Sequence, residues 1–233
     1  MCILNENATS IRRLLLTSLI FNVSLTHASV LEFNLTEFSL HDLSNWETKS
    51  FNGHTDYQTI DIDNLSVLKA YSNDSASGLA LERKIDLLKT PFINWSWRIE
   101  NRLTEMNEQT KEGDDYAARI YLIIDGGWAV WNTKALNFVW SSNQAKGTNW
   151  NNAYAGDNAK MVAIRGKEAE RKKWYTEKQN VYQSLIEAFG DKGSEEKNLN
   201  AYRYIDVTAI MTDTDDSHQS TTAYYGDIIF SAK

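Results

Sequence analysis

The sequence predicts an all-β fold: an antiparallel, two-sheet, jelly-roll-like β-sandwich with one short amphipathic helix, built as a single domain over residues 29–233. Three features predict it. Short runs of alternating apolar and polar residues recur between polar turns, as half-buried strands require. Only one stretch repeats its apolar residues every four positions, from Thr176 to Phe189, where Val181, Leu185 and Phe189 precede Gly190 as a helix terminator. Many strands with so little helix pack as two facing sheets.

The first 28 residues differ from the rest. Arg12 and Arg13 precede the apolar run Leu14–Leu25, and Thr26-His27-Ala28 follows, which describes a secretory leader cut after Ala28. The run is short for a membrane span and carries Thr17, Ser18, Asn22 and Ser24, so no span is expected after processing. Cys2, the only cysteine, leaves with the leader, and the mature chain has no disulfide, thiol nucleophile or cysteine metal site. The expected location is periplasmic or secreted. Loss of two arginines and one glutamate takes the formal charge from −7 to −8. With no basic patch to offset it, that charge excludes a phosphate-backbone surface, so no nucleic-acid partner is expected.

Along the mature chain, Tyr57–Ile62 alternates cleanly, Asp63-Asn64 turns, and Ser66–Tyr71 returns as the second arm of a hairpin. Leu79–Ile85 is a further strand. Pro91 opens Phe92–Ile99, where Ile93, Trp95, Trp97 and Ile99 face one way and Asn94, Ser96 and Arg98 the other. The strand centred on Ala117–Ile124 follows Gly113. Its Asp115, Arg119 and Tyr121 share a face, and Ile120 to Ile124 read as core. Ala135–Trp140, Met161–Arg165, Tyr204–Met211 and Ala223–Phe230 complete the strands. Lys167–Lys173 and Glu195-Glu196-Lys197 read as solvated loops.

Seven segments, in order, carry a resemblance to a known family. They are Leu68–Ser72 with Ser75–Leu79, Trp95–Arg98, Gly113–Arg119, Leu136–Trp140, Ala188–Gly190, Ile210–Asp215 and Tyr224–Ile228. Together they resemble the bacterial exported family called domain of unknown function 3047, across essentially the whole mature chain. The resemblance implies a fold and brings no established activity. The chain departs from the family's pattern at Gln179, Ser184, Leu185 and Asp216. A weaker, architectural likeness is to galactose-binding-type jelly rolls.

The charged residues within hydrophobic strands are the candidate site. Arg98, Asp115, Arg119, Tyr121, Asn137 and Arg165 are expected to meet on one sheet face as a binding patch. Guanidinium, carboxylate and amide groups recognise sugar hydroxyls or carboxylates, and an aromatic such as Tyr121 or Trp140 stacks on them. The competing expectation is a structural ion network in which an arginine pairs with Asp115 under the loops. Asp213, Asp215 and Asp216 offer oxygen ligands suited to a structural calcium, against a plain acidic turn. No catalytic residue is assigned: the mature histidines His41, His54 and His218 have no metal spacing, and no serine sits in a nucleophile elbow. The expected function is therefore noncatalytic binding of a carbohydrate or small polar ligand. A hydrolase or lyase with paired carboxylates from Asp114, Asp115 and Asp206 is the first alternative, and an envelope scaffold the second. Trp128, Trp131 and Trp150 read as sheet caps first and as sugar-stacking platforms second.

Overall fold

A computed structural model describes residues 31–129 and 132–233. The leader, Cys2 and Trp131 lie outside the described residues. Among the described residues, fourteen strands form two seven-stranded sheets. In chain order they are β1 (Glu32–Asn34), β2 (Glu47–Asn52), β3 (Asp56–Ile62), β4 (Leu65–Asn73), β5 (Ala76–Asp86), β6 (Phe92–Ile99) and β7 (Ala118–Ile124). The others are β8 (Lys134–Trp140), β9 (Asn149–Asn152), β10 (Gly156–Arg165), β11 (Tyr175–Asn180), β12 (Tyr204–Asp213), β13 (Ser220–Tyr225) and β14 (Ile229–Ser231). The first sheet runs β1-β14-β6-β13-β4-β3 with β11 also on β6, and the second runs β2-β5-β12-β7-β8-β10-β9.

The predicted sandwich is present, and among the described residues its pairing is antiparallel with one exception. β10 lies parallel to β8, because residues 141–155, including β9, carry the chain back to the end at which β8 began. A parallel neighbour needs a connection of about a dozen residues or more, and this one supplies it. The predicted hairpin is β3–β4, and Asp63 and Asn64 take φ of 54° and 62°, the left-handed pair that a two-residue turn requires.

The core is the alternation read from β6. Ile93, Trp95, Trp97 and Ile99 are at most 2% exposed, and their rings meet the second sheet, with Trp95 stacked on Phe138 at 5.6 Å and Trp97 5.7 Å from Trp140. Each such side chain contributes roughly 1.5–3 kcal/mol of burial, so the two strands lock the sheets together.

The helical expectation needs two corrections. Residues 175–180 are strand β11, paired with β6 from Tyr175↔Trp97 to Asn180↔Phe92, and the helix α1 spans Val181–Phe189. Asn180 caps it by accepting from the Gln183 N–H at 3.0 Å. A second helix, α2 (Glu195–Tyr202), replaces the expected solvated loop. Ser194 caps α2, Glu195 and Glu196 lie in its positively polarised first turn, and Tyr202 is buried with its hydroxyl on Gly190 O at 2.8 Å. No helix among the described residues is long and apolar enough to cross a membrane.

Candidate functional site

On β7, Ala118, Ile120 and Leu122 point into the core, which turns Arg119 and Tyr121 to the outer face of the second sheet. Strand register sets their neighbours. Tyr121 pairs with Asn137 on one side and Ala209 on the other, and Ala209 pairs with Ala80, which pairs with Glu47. One row over, Arg119 pairs with Val139 and Met211, and Met211 with Gly78 and then Lys49.

Arg119 is 4% exposed. Its Nη2 lies 3.1 Å from Asp213 Oδ2 and its Nη1 3.8 Å from Asp114 Oδ2. The guanidinium sits 4.8 Å from the Tyr116 ring centroid and 4.6 Å from that of Tyr121. Burial works against the charge, and Asp213, Tyr121 and Asp114 outweigh it, so the arginine is held charged above its ordinary pKa. Desolvation is offset by two carboxylates and two ring faces.

Beside this network the outer face is covered. Tyr116, Trp150, Val139, Met161 and Ala163 form a small second core, and the segment leading to β7 closes over it. Glu108 clasps that segment: its carboxylate accepts from Ser141 Oγ and, at 2.5 Å, from the Ser142 N–H. Tyr116 donates to Asp114 Oδ1 at 3.1 Å, and Asn152 donates to Asp114 Oδ2 at 2.6 Å. Burial pushes the Glu108 carboxyl up to about 7 despite these hydrogen bonds, and raises Asp114 as well. The sequence gives no signal for Glu108, which stands in a polar stretch with no periodicity.

The acidic loop differs from expectation. Asp213 is the last residue of β12 and is committed to Arg119. Asp115 takes its place: Asp115, Asp215 and Asp216 each present a carboxylate oxygen within 4.8 Å of the others. Strand β12 runs two residues further than its apolar pattern, which places Asp213 on the outer face beside Arg119, two residues beyond Met211. Asp115 also accepts from the Asp216 and Ser217 N–H groups at 3.3 and 2.6 Å, Tyr154 donates to Asp216 at 2.7 Å, and Asn52 donates to Asp215 at 3.3 Å. Burial raises the Asp115 pKa. Oxygen donors so grouped can coordinate a hard divalent cation.

The expected six-residue patch does not converge as a whole. Arg119, Tyr121 and Asn137 share the outer face of the second sheet, with Asn137 1% exposed and its amide donating to Ala135 O and Lys160 O at 3.3 Å. Asp115 lies at the end of that sheet, just before β7, and packs against the acidic loop. Arg98 is on β6 and therefore faces outward from the other sheet, paired with Glu100 at 2.7 Å. Arg165, the last residue of β10, turns toward β11 and binds Glu177, with Nη2 3.0 Å from Oε2. Asp206 lies seven residues before Asp213 on an extended strand, roughly 23 Å away by strand rise, so it forms no catalytic pair with Asp114 or Asp115 at the separations glycosidases use. Trp150 belongs to the second core, and Trp128 is fully exposed on the β7–β8 connection.

The family described as "Protein of unknown function (DUF3047)" matches residues 44–229. None of the curated proteins matches the chain in sequence. Among solved structures, it is similar to a meso-active, thermo-stable cellulase derived from the Cel12A cellulase of Rhodothermus marinus, with 8% identity, 87% of this chain and 100% of that one covered, and a TM-score of 0.44. A cellulose-induced protein, Cip1, is similar at 13% identity, with 85% and 96% covered and a TM-score of 0.44. The xyloglucanase domain of NopAA, a type three effector from Sinorhizobium fredii, in complex with cellobiose, is similar at 9% identity, with 80% and 92% covered and a TM-score of 0.39. Likeness at this level transfers no activity and no residue role.

Proposed function

The chain belongs to the DUF3047 family, and from that premise we propose that it is an exported, noncatalytic β-sandwich that binds a carbohydrate or similar small polar ligand on the outer face of its second sheet. The observation that carries this reading is the placement of Tyr121. Its ring is backed by the Arg119 guanidinium at 4.6 Å, its hydroxyl meets Met211 Sδ at 3.3 Å, and the row beside it continues through Ala209 and Ala80 to Glu47 at the sheet edge. Tyr121, Ala209 and Ala80 are each partly exposed. Small side chains next to an aromatic leave a shelf along which a sugar ring can lie, with the tyrosine as its stacking face.

Four of the family-like segments support the same face: Ser75–Leu79 on β5, Gly113–Arg119 before and on β7, Leu136–Trp140 on β8 and Ile210–Asp215 on and after β12 surround Arg119. In this reading Arg119 touches no ligand; it holds Tyr121 in place. Export rests on the leader pattern of residues 1–28.

Purified protein run against a polysaccharide panel tests the proposal. Saturable retention without product, lost in Tyr121→Ala with the melting temperature kept, is the expected result. Product formation favours the hydrolase or lyase alternative. A co-purifying partner with no retention favours a scaffold.

A further inference from the structure

We propose a second ligand site on the opposite side of the sandwich, a hollow on the outer face of the first sheet that takes one neutral polyhydroxyl ring of monosaccharide size. The hollow holds about 350 Å³, the low end of the range for small-molecule sites. Its floor is the row Val67–Gly226–Ser96. Gly226 donates its N–H to Ser96 O at 2.8 Å, and a Cβ on residue 226 would stand 2.2 Å from Ser96 Oγ. Glycine there is what leaves that hydroxyl uncovered.

Two turns wall the hollow. The Asp63-Asn64 turn of the β3–β4 hairpin bends over the sheet far enough for Asp63 Oδ2 to reach Arg98 Nη1 at 3.6 Å and the Trp174 indole N–H at 3.4 Å. Opposite it, Asp227 accepts from Thr36 Oγ1 at 3.0 Å and from the Phe38 N–H at 2.9 Å. Phe38 is fully buried, so this anchor fixes the short turn that presents Ser39 at the rim. Two residues beyond the floor on the same face, Tyr224 lies under the Arg98 guanidinium, 5.3 Å from its ring centroid, and 6.3 Å from Trp174.

The chemistry of the lining selects the ligand class. Ser39, Ser96 and Asn64 line the space, and their hydroxyls and amide can both donate and accept. Leu65, 48% exposed, offers apolar surface to ring C–H groups above the buried Val67. The nearby cation is committed elsewhere, Arg98 to Asp63 and Glu100, and Asp227 adds a carboxylate beside the space, so an anionic ligand meets no free partner there. A neutral polyol meets donors, acceptors and apolar contact together.

The test is a titration of the full-length protein, by calorimetry or ligand-observed NMR, with a set of neutral monosaccharides, a uronate and inorganic phosphate. Binding of a neutral sugar is expected, with no response to phosphate. Ser39→Trp, made at an exposed position, fills the hollow and removes that binding. Ser96→Ala weakens it about two- to tenfold, the worth of one hydrogen bond, and serves as the reporter if the tryptophan variant does not fold. Tyr121→Ala leaves it unchanged, which separates this site from the shelf on the other sheet. The proposal is overturned if no neutral monosaccharide binds, if phosphate or the uronate binds more tightly than every neutral sugar, if folded Ser39→Trp or Ser96→Ala binds as the natural protein does, or if Tyr121→Ala removes the binding.

Discussion

Arg119 Nη2 and Asp213 Oδ2 stand 3.1 Å apart with both side chains almost fully buried, and this contact ties β7 to β12 across the outer face of the second sheet. Removing one member of such a pair leaves the other charged and desolvated. Arg119→Ala is expected to cost roughly 3–5 kcal/mol of stability, read as a fall in denaturant midpoint. The double variant with Asp213→Ala loses less than the two single losses added together, because the abandoned charge is gone. A midpoint for Arg119→Ala equal to that of the natural protein would remove the structural role.

Glu108 makes the fold sensitive to pH in an unusual direction. Its folded pKa of about 7 lies above its ordinary value of 4.5, so the folded protein holds this proton more tightly than the unfolded chain does. The resulting stability is fully present below about pH 4.5 and is lost as pH rises through 7. Two and a half pH units correspond to about 3 kcal/mol. The melting temperature is expected to fall from pH 5 to pH 8, and Glu108→Gln, which keeps a hydrogen-bond acceptor for Ser142 and adds a donor, flattens that slope. An unchanged slope in the variant assigns the effect elsewhere.

Calcium tests the acidic loop. Asp115, Asp215 and Asp216 are like charges drawn together, and a bound cation relieves their repulsion. Extracellular modules bind calcium with dissociation constants on the order of 10⁻⁴–10⁻³ M, so millimolar calcium is expected to raise the melting temperature and a chelator to reverse it. Asp215→Asn removes the response. Identical melting curves with and without calcium reduce the loop to a solvated turn.

What the sequence made legible follows from period. β6 and the β3–β4 hairpin alternate strongly, and both stand where the pattern puts them. Arg119 was visible for the same reason, since a guanidinium within an apolar strand requires partners. Which partners it finds was not visible: Asp213 lies 94 positions away, and only the pairing of β12 with β7 brings it close. β11 failed as a strand because its inward residue is Glu177, buried by Arg165 and the Trp97 indole, so its period carries no apolar signal. α2 failed for a related reason: its burial rests on Tyr202 and Asn198, too few apolar residues to mark a face. Arg98 shares Arg119's outward orientation but belongs to the other sheet, and sheet membership is not legible in sequence. Arg165 belongs to the same sheet as Arg119, but the register shift between Ala163 and Arg165 sets it opposite the core residue Trp140 and turns it toward β11.

Helix α1 offers a local test. Asn180 ends β11 and caps the helix by accepting from the Gln183 N–H, so one residue both closes a strand and opens a helix. Asn180→Ala is expected to cost about 1 kcal/mol, while Asn180→Asp keeps the cap. Equal stability of the alanine variant would show that water satisfies the helix terminus.

Tyr121 separates stacking from hydrogen bonding at the proposed shelf. Its hydroxyl contacts Met211 Sδ, a weak acceptor, so Tyr121→Phe loses little in stability and keeps the ring against Arg119. If the ring is the binding element, Tyr121→Phe retains polysaccharide binding to within about twofold, since an aromatic contact contributes roughly 0.5–1.5 kcal/mol through its face rather than its hydroxyl. Tyr121→Ala loses it. Two measurements on each variant, retention and melting temperature, keep the outcomes apart: Tyr121→Ala that melts normally and still binds places the ligand elsewhere, whereas Tyr121→Phe that folds and fails to bind assigns recognition to the phenol oxygen.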